Sequence, residues 1–147
     1  MIAILQRVTS AKVYINQKIY NEINQGLLVL LGVNQNDTEK DIDYLIKKIT
    51  QLRIFNDSND KMNLSITDIK GNILIISQFT LLSDTTKGRR PSFINAAKPD
   101  LAEKLYDSFI NKIKQCDLNI KTGKFGAMMD INLINNGPAT FILNSNN

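Results

Sequence analysis

Ser77 and Thr80 bracket Gln78 and Phe79 where an apolar run ends, and by type and placement they are the hydroxyls best suited to nucleophilic chemistry. A serine or threonine hydroxyl needs a neighbouring base before it attacks, and the chain contains no histidine. Every Ser-His-Asp or Cys-His arrangement is therefore excluded. A hydrolase built on this chain must use a carboxylate, a lysine, an activated water, or a group supplied by its substrate. Three readings stay open for residues 77–81. The hydroxyls attack directly, they bond backbone groups at a strand end, or backbone N–H groups there hold a carbonyl oxygen as an oxyanion site.

Three other segments invite chemistry. Gly137-Pro138 is either a turn before the last strand or, with a cis bond, a rigid edge presenting two carbonyls to a ligand. Arg89 and Arg90 stand between Gly88 and Pro91 in an expected loop, where they contact phosphate or are simply solvated. Phe125 either stacks on a base or fills the core. Cys116 is the single cysteine, so no intrachain disulfide is possible, and zinc lacks its usual ligands. The expected setting is the reducing cytoplasm. A net charge of +4 leans mildly toward a polyanionic partner. No apolar stretch approaches bilayer length, and the first residues lack a signal peptide's pattern.

The elements that must position these groups follow from periodicity. Residues 2–8 and 11–15 read as strands, Asn16-Gln17 as a turn, and Lys18–Ile23 as a third strand. The continuous apolar run 27–33 reads as a strand buried on both faces. Asp37 or Thr38 caps a helix burying Ile42, Leu45, Ile46, Ile49 and Leu52, after which residues 56–61 form a loop. Residues 72–80 return to strand, which places Ser77 and Gln78 near its end. Pro99 opens a second amphipathic helix that buries Leu101, Leu105, Phe109 and Ile113 and ends near Cys116. Short strands are expected at 120–125, 128–133 and 140–143, broken by Gly126 and by residues 135–138. At 147 residues, with 43% hydrophobic content, the chain can bury one substantial core. The expected fold is one α+β domain over residues 1–147, with largely antiparallel, barrel-like β-sheets flanked by two amphipathic helices.

Residues 77–81 and 136–140, the opening 3–8, the stretch 87–93 and residues 125–128 resemble, in order and spacing, the D-aminoacyl-tRNA deacylase family over the whole chain. The resemblance implies an enzyme that hydrolyses the ester joining a D-amino acid, or glycine, to the terminal adenosine of tRNA. It implies a homodimer with the active site at the interface and a cis Gly137-Pro138 pair, braced by Arg7, inserted into the partner's pocket. That edge would reject L side chains by collision. Ser77, Gln78 and Phe79 would line the pocket, N–H groups near Phe79 would hold the carbonyl, and Thr80 would support them. The ribose 2′-OH of the tRNA would assist attack, which accommodates the missing histidine. Phe125 and Met128 would face the adenosine, with Arg89 and Arg90 as further tRNA contacts. No cofactor, metal or membrane is implied; the partners are the 3′ end of aminoacyl-tRNA and a second copy.

Two departures stand out: Asn136 where many relatives carry aspartate, and Ala139 where valine is common. Both leave the Gly-Pro pair intact, so activity is expected to survive. Two other functions compete with this one. A non-catalytic RNA-binding module would use the same cations without turnover. A related editor of L-alanine would carry a trans Gly-Pro pair and no arginine brace, and Arg7 argues against it.

Overall fold

The expected break near Thr9 and Ser10 does not occur: β1 (Ile2–Ile15) is one strand in the computed structural model, which describes residues 1–146. A partner strand explains why. β8 (Asp130–Asn144) runs antiparallel along β1 from the Ile2↔Asn144 pair to the Tyr14↔Asp130 pair, and this partner on both sides of Thr9 carries the strand through two locally polar residues despite shifts in register. β2 (Lys18–Ile23) returns against residues 11–15 through Asn16 and Gln17, whose positive φ values of 50° and 62° suit a two-residue hairpin turn.

β3 (Gly26–Gly32) pairs antiparallel with residues 2–8 of β1 and parallel with β6 (Asn72–Ser77). β6 is in turn parallel to β7 (Asn119–Thr122). Parallel neighbours need long crossovers, and the two helices supply them. α1 (Glu39–Gln51) joins β3 toward β6, and α2 (Pro99–Ile113) joins β6 toward β7. Residues 56–61, expected as a plain loop, instead turn a small hairpin between β4 (Phe55–Asn56) and β5 (Met62–Leu64). Asp57 organises that turn by accepting bonds from the Asn59 and Lys61 N–H groups and from Asn63 Nδ2.

The alternating residues of β3 and β6 fill two cores, as their unbroken apolar runs require. Leu27, Val29, Leu31, Ile73 and Ile75 meet Ile42, Leu45, Ile49, Leu105, Phe109 and Ile113 of the helices. Leu28, Leu74 and Ile76 point the other way, onto Val8, Ala11, Val13 and Ile23. The outer half of β1 with β2 and β8 thereby curls over β6 and β7, and Asn21 Nδ2 donates to the Thr122 carbonyl at 2.7 Å across the gap. A nearly closed, barrel-like α+β fold results, in agreement with the expectation.

Several local assignments change. Thr38 is the N-cap of α1, its N–H bonded to Asp41 Oδ2 at 2.8 Å, while Asp37 is buried against the Met1 amine at 2.5 Å. Leu101 is exposed, and α2 instead buries Ala102, Tyr106 and Ile110 beside Leu105, Phe109 and Ile113. β6 stops at Ser77, and Phe79–Leu82 form a short 3-10 helix, so Thr80 is not on a strand. Phe125 and Met128 lie in the link between β7 and β8, outside both strands. The strands expected at 128–133 and 140–143 are one strand, with Gly137-Pro138 inside it.

Candidate active site

The carboxyl ends of parallel strands β3 and β6 open into a pocket of about 780 Å³, the position where open α/β sheets commonly bind ligands. Leu31, Val33 and Ile76 form its base, and Ser77, Gln78 and Phe79 form one edge. Phe93 and residues 96–99, with Ala102 and Tyr106 of α2, make a second wall; residues 125–129 make a third.

Local structure explains the first edge. The Gln78 N–H extends the β3–β6 ladder by one bond to the Leu31 carbonyl, at 2.8 Å, and the chain then tightens into the 3-10 turn. Gly32 makes this possible: a Cβ there would sit 2.5 Å from Leu82 Cδ2 and 3.0 Å from the Gln78 carbonyl oxygen. The N–H groups of Phe79 and Thr80 begin the turn, and no carbonyl within it can receive them. They form a pair of adjacent backbone donors beside the pocket. Gln78 Nε2 donates to Thr80 Oγ1, which ties the Gln78 side chain to the turn.

Tyr106 underlies the same region. Its hydroxyl donates to the Ile75 carbonyl at 3.0 Å, and its ring packs 5.7 Å from that of Phe125. Burial pushes its phenol far above the ordinary range, so it stays protonated at physiological pH and serves as a fixed donor. At the mouth, Phe79 and Phe93 meet edge to face, with ring centroids 4.9 Å apart.

The Gly137-Pro138 segment is built differently. Between the pairs Gln6↔Thr140 and Val8↔Asn135, only Arg7 stands on β1 while residues 136–139 stand on β8. The surplus residues are forced out as a bulge. Arg7 is only 7% exposed and holds the bulge from beneath: Nε donates to the Asn136 carbonyl at 2.9 Å, and Nη1 donates to the Ile54 carbonyl at 2.8 Å and to Asn56 Oδ1 at 3.2 Å. The small hairpin therefore anchors the arginine. From the other side the Asn135 side chain accepts the Ala139 N–H at 2.7 Å and donates to the Ala139 carbonyl at 3.2 Å. Gly137 has φ +137°, a conformation that L side chains rarely adopt, and a Cβ there would lie 2.9 Å from Arg7 Nη2. The Gly137-Pro138 peptide is cis, and both residues are exposed.

Ser77, Gln78, Phe79, Phe125 and Met128 thus share one pocket. Met128 is 90% exposed and contributes only at the rim. Thr80 adjoins the pocket without lining it, whereas Arg7, Gly137 and Pro138 form a separate cluster at the bulge. Arg89 and Arg90 are exposed on a loop closed by reciprocal backbone bonds between Asp84 and Ser92, at 2.7 and 2.9 Å. Sequence reasoning missed Tyr106, Phe93 and Lys98 as pocket residues. The helical spacing of Ala102, Tyr106 and Phe109 was the available signal for the first; nothing local marks the others.

An α+β barrel-like domain with an apolar pocket at its parallel strand ends, and a braced bulge elsewhere on its surface, narrows the class considerably. Residues 4–144 match the family model for D-Tyr-tRNA(Tyr) deacylase, and the chain belongs to that family. It is 56% identical to the D-aminoacyl-tRNA deacylase of Desulfatibacillum aliphaticivorans, over 99% of both chains. It is also 56% identical to the enzyme of that name from Thermosipho melanesiensis, over 99% of this chain and 97% of the other. Among solved structures, a c-Myc DNA unwinding element binding protein superposes with a TM-score of 0.92 at 38% identity, covering 98% of each chain. A probable eukaryotic D-amino acid tRNA deacylase shares the fold, with a TM-score of 0.82 at 17% identity.

Proposed function

We propose that this chain hydrolyses D-aminoacyl-tRNA, with the ester held in the pocket at residues 77–79 and the chirality of the amino acid checked by Gly137-Pro138 of a second copy. The adjacent N–H groups of Phe79 and Thr80 carry the reading, because they open the turn beside the pocket and offer a substrate carbonyl oxygen two backbone donors. Water attacks the carbonyl carbon, the bond to the ribose oxygen breaks, and free amino acid and tRNA leave. The 2′-OH of the terminal ribose, adjacent to the scissile oxygen, relays the proton. The protein's share is orientation and charge stabilisation, which suits a site without histidine. Phe125 and Met128 flank the adenosine, Tyr106 steadies the floor, and Arg89 and Arg90 meet phosphates further along the acceptor strand.

A second copy enters the reading because the bulge projects outward and is braced from within, yet lies apart from its own chain's pocket. Its strand also exposes Ile134 and Ile142, at 58% and 73%, with Leu30 and Ile4 paired in register beside Ile142. Such an apolar stripe suits burial against a copy of itself in a homodimer. The inserted edge would collide with an L side chain, leave room for a D side chain, and meet no side chain in glycine, so mischarged glycyl-tRNA would also be a substrate. A cytoplasmic location accompanies this substrate.

Incubating the purified protein with D-Tyr-tRNA and L-Tyr-tRNA tests the reading. Release of D-tyrosine well above the buffer rate, with L-tyrosine spared, is expected. Release of neither would leave only RNA binding and end the deacylase assignment.

A further inference from the structure

Resting on the pocket reading above, we propose that Phe93 and Lys98 bind the penultimate nucleotide of the substrate's single-stranded 3′ end. Phe93 stacks on its base, and Lys98 meets the phosphate that joins it to the terminal adenosine.

The pocket wall carries a single charged side chain, Lys98. It is exposed, and no ion pair among the described residues ties it down. Near its reacting end the substrate offers two charges, the ammonium of the amino acid and the phosphodiester of the last linkage. A lysine repels the first and attracts the second, so charge complementarity assigns Lys98 to the phosphate.

Phe93 supplies the apolar half. It is 36% exposed at the mouth, and its contact with Phe79 is edge to face, at 64° between ring planes. That geometry leaves ring surface open beside the pocket of about 780 Å³ that the reading above gives to the terminal nucleoside and its ester. Exposed aromatic rings next to a cation are the common means of gripping unpaired nucleotides without reading their sequence, because every base has a flat face.

The segment is also held before substrate arrives. The Ala97 N–H donates to the Val33 carbonyl at 2.9 Å, the Gln35 N–H to the Asn95 carbonyl at 3.0 Å, and the Ala96 N–H to the Phe93 carbonyl at 3.0 Å. Both side chains therefore project from backbone fixed against the end of β3, and little ordering remains to be done on binding.

The test compares two substrates, D-aminoacyl-tRNA and 3′-D-aminoacyl-adenosine, the second ending before the proposed contacts. The readout is the ratio of kcat/KM for the tRNA to that for the nucleoside. Phe93→Leu and Lys98→Gln should each lower that ratio about tenfold, chiefly through KM for the tRNA. Lys98→Gln should also flatten the dependence of log KM on log salt by about 0.7, the share of one single-strand phosphate. An unchanged ratio in both variants, whether or not absolute rates fall, overturns the proposal, since side chains that merely shape the pocket affect both substrates alike. Lys98→Gln alters an exposed side chain and decides the phosphate half even where Phe93→Leu disturbs the loop. Wild-type protein that cleaves neither substrate overturns the deacylase reading itself, and is seen before any variant is made.

Discussion

The pocket edge at residues 77–79 and the bulge at residues 136–139 both interrupt strand pairing, but they do so in opposite senses. At the pocket edge β6 simply ends, the chain tightens, and the first N–H groups of the turn are left beside a concave, mostly apolar space. At the bulge pairing resumes on both sides, and four residues of β8 stand against one of β1, with residues 136–138 exposed and Ala139 buried. One region is hollow with donors; the other is convex, and its flanking arginine and asparagine hold it from below. The difference teaches where each task belongs. A hollow can bind and orient an ester, while a braced projection can only be felt by something that approaches it from outside the chain. If that division is right, damage to substrate orientation at the pocket should remove hydrolysis, and damage to the bulge should first remove discrimination.

The largest effect should come from the substrate rather than the protein. Terminal 2′-deoxyadenosine in the tRNA should lower kcat by about 10²–10⁴-fold, the usual worth of a positioned proton relay. Single-turnover rates with D-Tyr-tRNA and its deoxy counterpart measure this directly. Equal rates would return the relay to a protein side chain and undo the picture of the pocket as a positioning surface.

Gly137→Ala should act next most strongly, and on the other region. The new Cβ meets Arg7 Nη2 and the Ala139 nitrogen at 2.9 and 3.1 Å, on a backbone with φ +137°. Strain of about 1–3 kcal/mol is expected. The bulge can relieve it only by moving, so D-over-L selectivity should fall by about 5–150-fold while D-Tyr-tRNA is still cleaved. Mixing this variant with a pocket-damaged one, such as Phe79→Ala, sharpens the comparison. Exchange of subunits should regenerate some sites that pair an intact pocket with an intact bulge, and selective activity should reappear. Strictly additive activities after exchange would place pocket and bulge function within one chain.

The same contrast decides what could be read in advance. The apolar runs of β3 and β6 and the helical spacing of Ile42, Leu45 and Ile49 predict their elements directly, since burial on both faces or on one stripe leaves a pattern in sequence. Ser77, Gln78 and Phe79 were recognisable as a site because the apolar run stops there. The bulge was not. Residues 135–138 have the composition of a turn, and only the pairing of β8 with β1, more than a hundred residues away in sequence, keeps them inside a strand. The hairpin that receives Arg7 was hidden for a related reason: Asn56 and Ile54 matter through a side-chain amide and a backbone carbonyl, which no periodicity reports. Of the two departures, Asn136 contacts Arg7 through its backbone carbonyl, so losing the aspartate charge leaves the brace in place.

Asn135→Ala tests that bracing from the opposite side. The substitution strips the Ala139 N–H, on a residue only 5% exposed, of its acceptor, and should cost about 1–3 kcal/mol. A fall of several degrees in Tm, together with a loss of selectivity of roughly fivefold, is expected. Lowered Tm with full selectivity would mean that Arg7 alone positions the bulge.

Thr80→Ala should matter least, although the residue carries a hydroxyl beside the pocket proposed to hold the ester. Its Oγ1 accepts a bond from Gln78 Nε2 on an exposed turn, and it does not line the pocket. The protein offers no histidine to deprotonate it. The hydroxyl can contribute only by restraining the Gln78 side chain, an exposed hydrogen bond worth about 0.5–1 kcal/mol, which corresponds to about a two- to fivefold drop in kcat. The backbone N–H of residue 80 survives the substitution, so the donors proposed for the carbonyl oxygen remain. Single-turnover measurement alongside the 2′-deoxy substrate gives the decisive ranking. If Thr80→Ala proves the more damaging of the two, the turn supplies a nucleophile rather than a support, and the pocket edge does covalent chemistry after all.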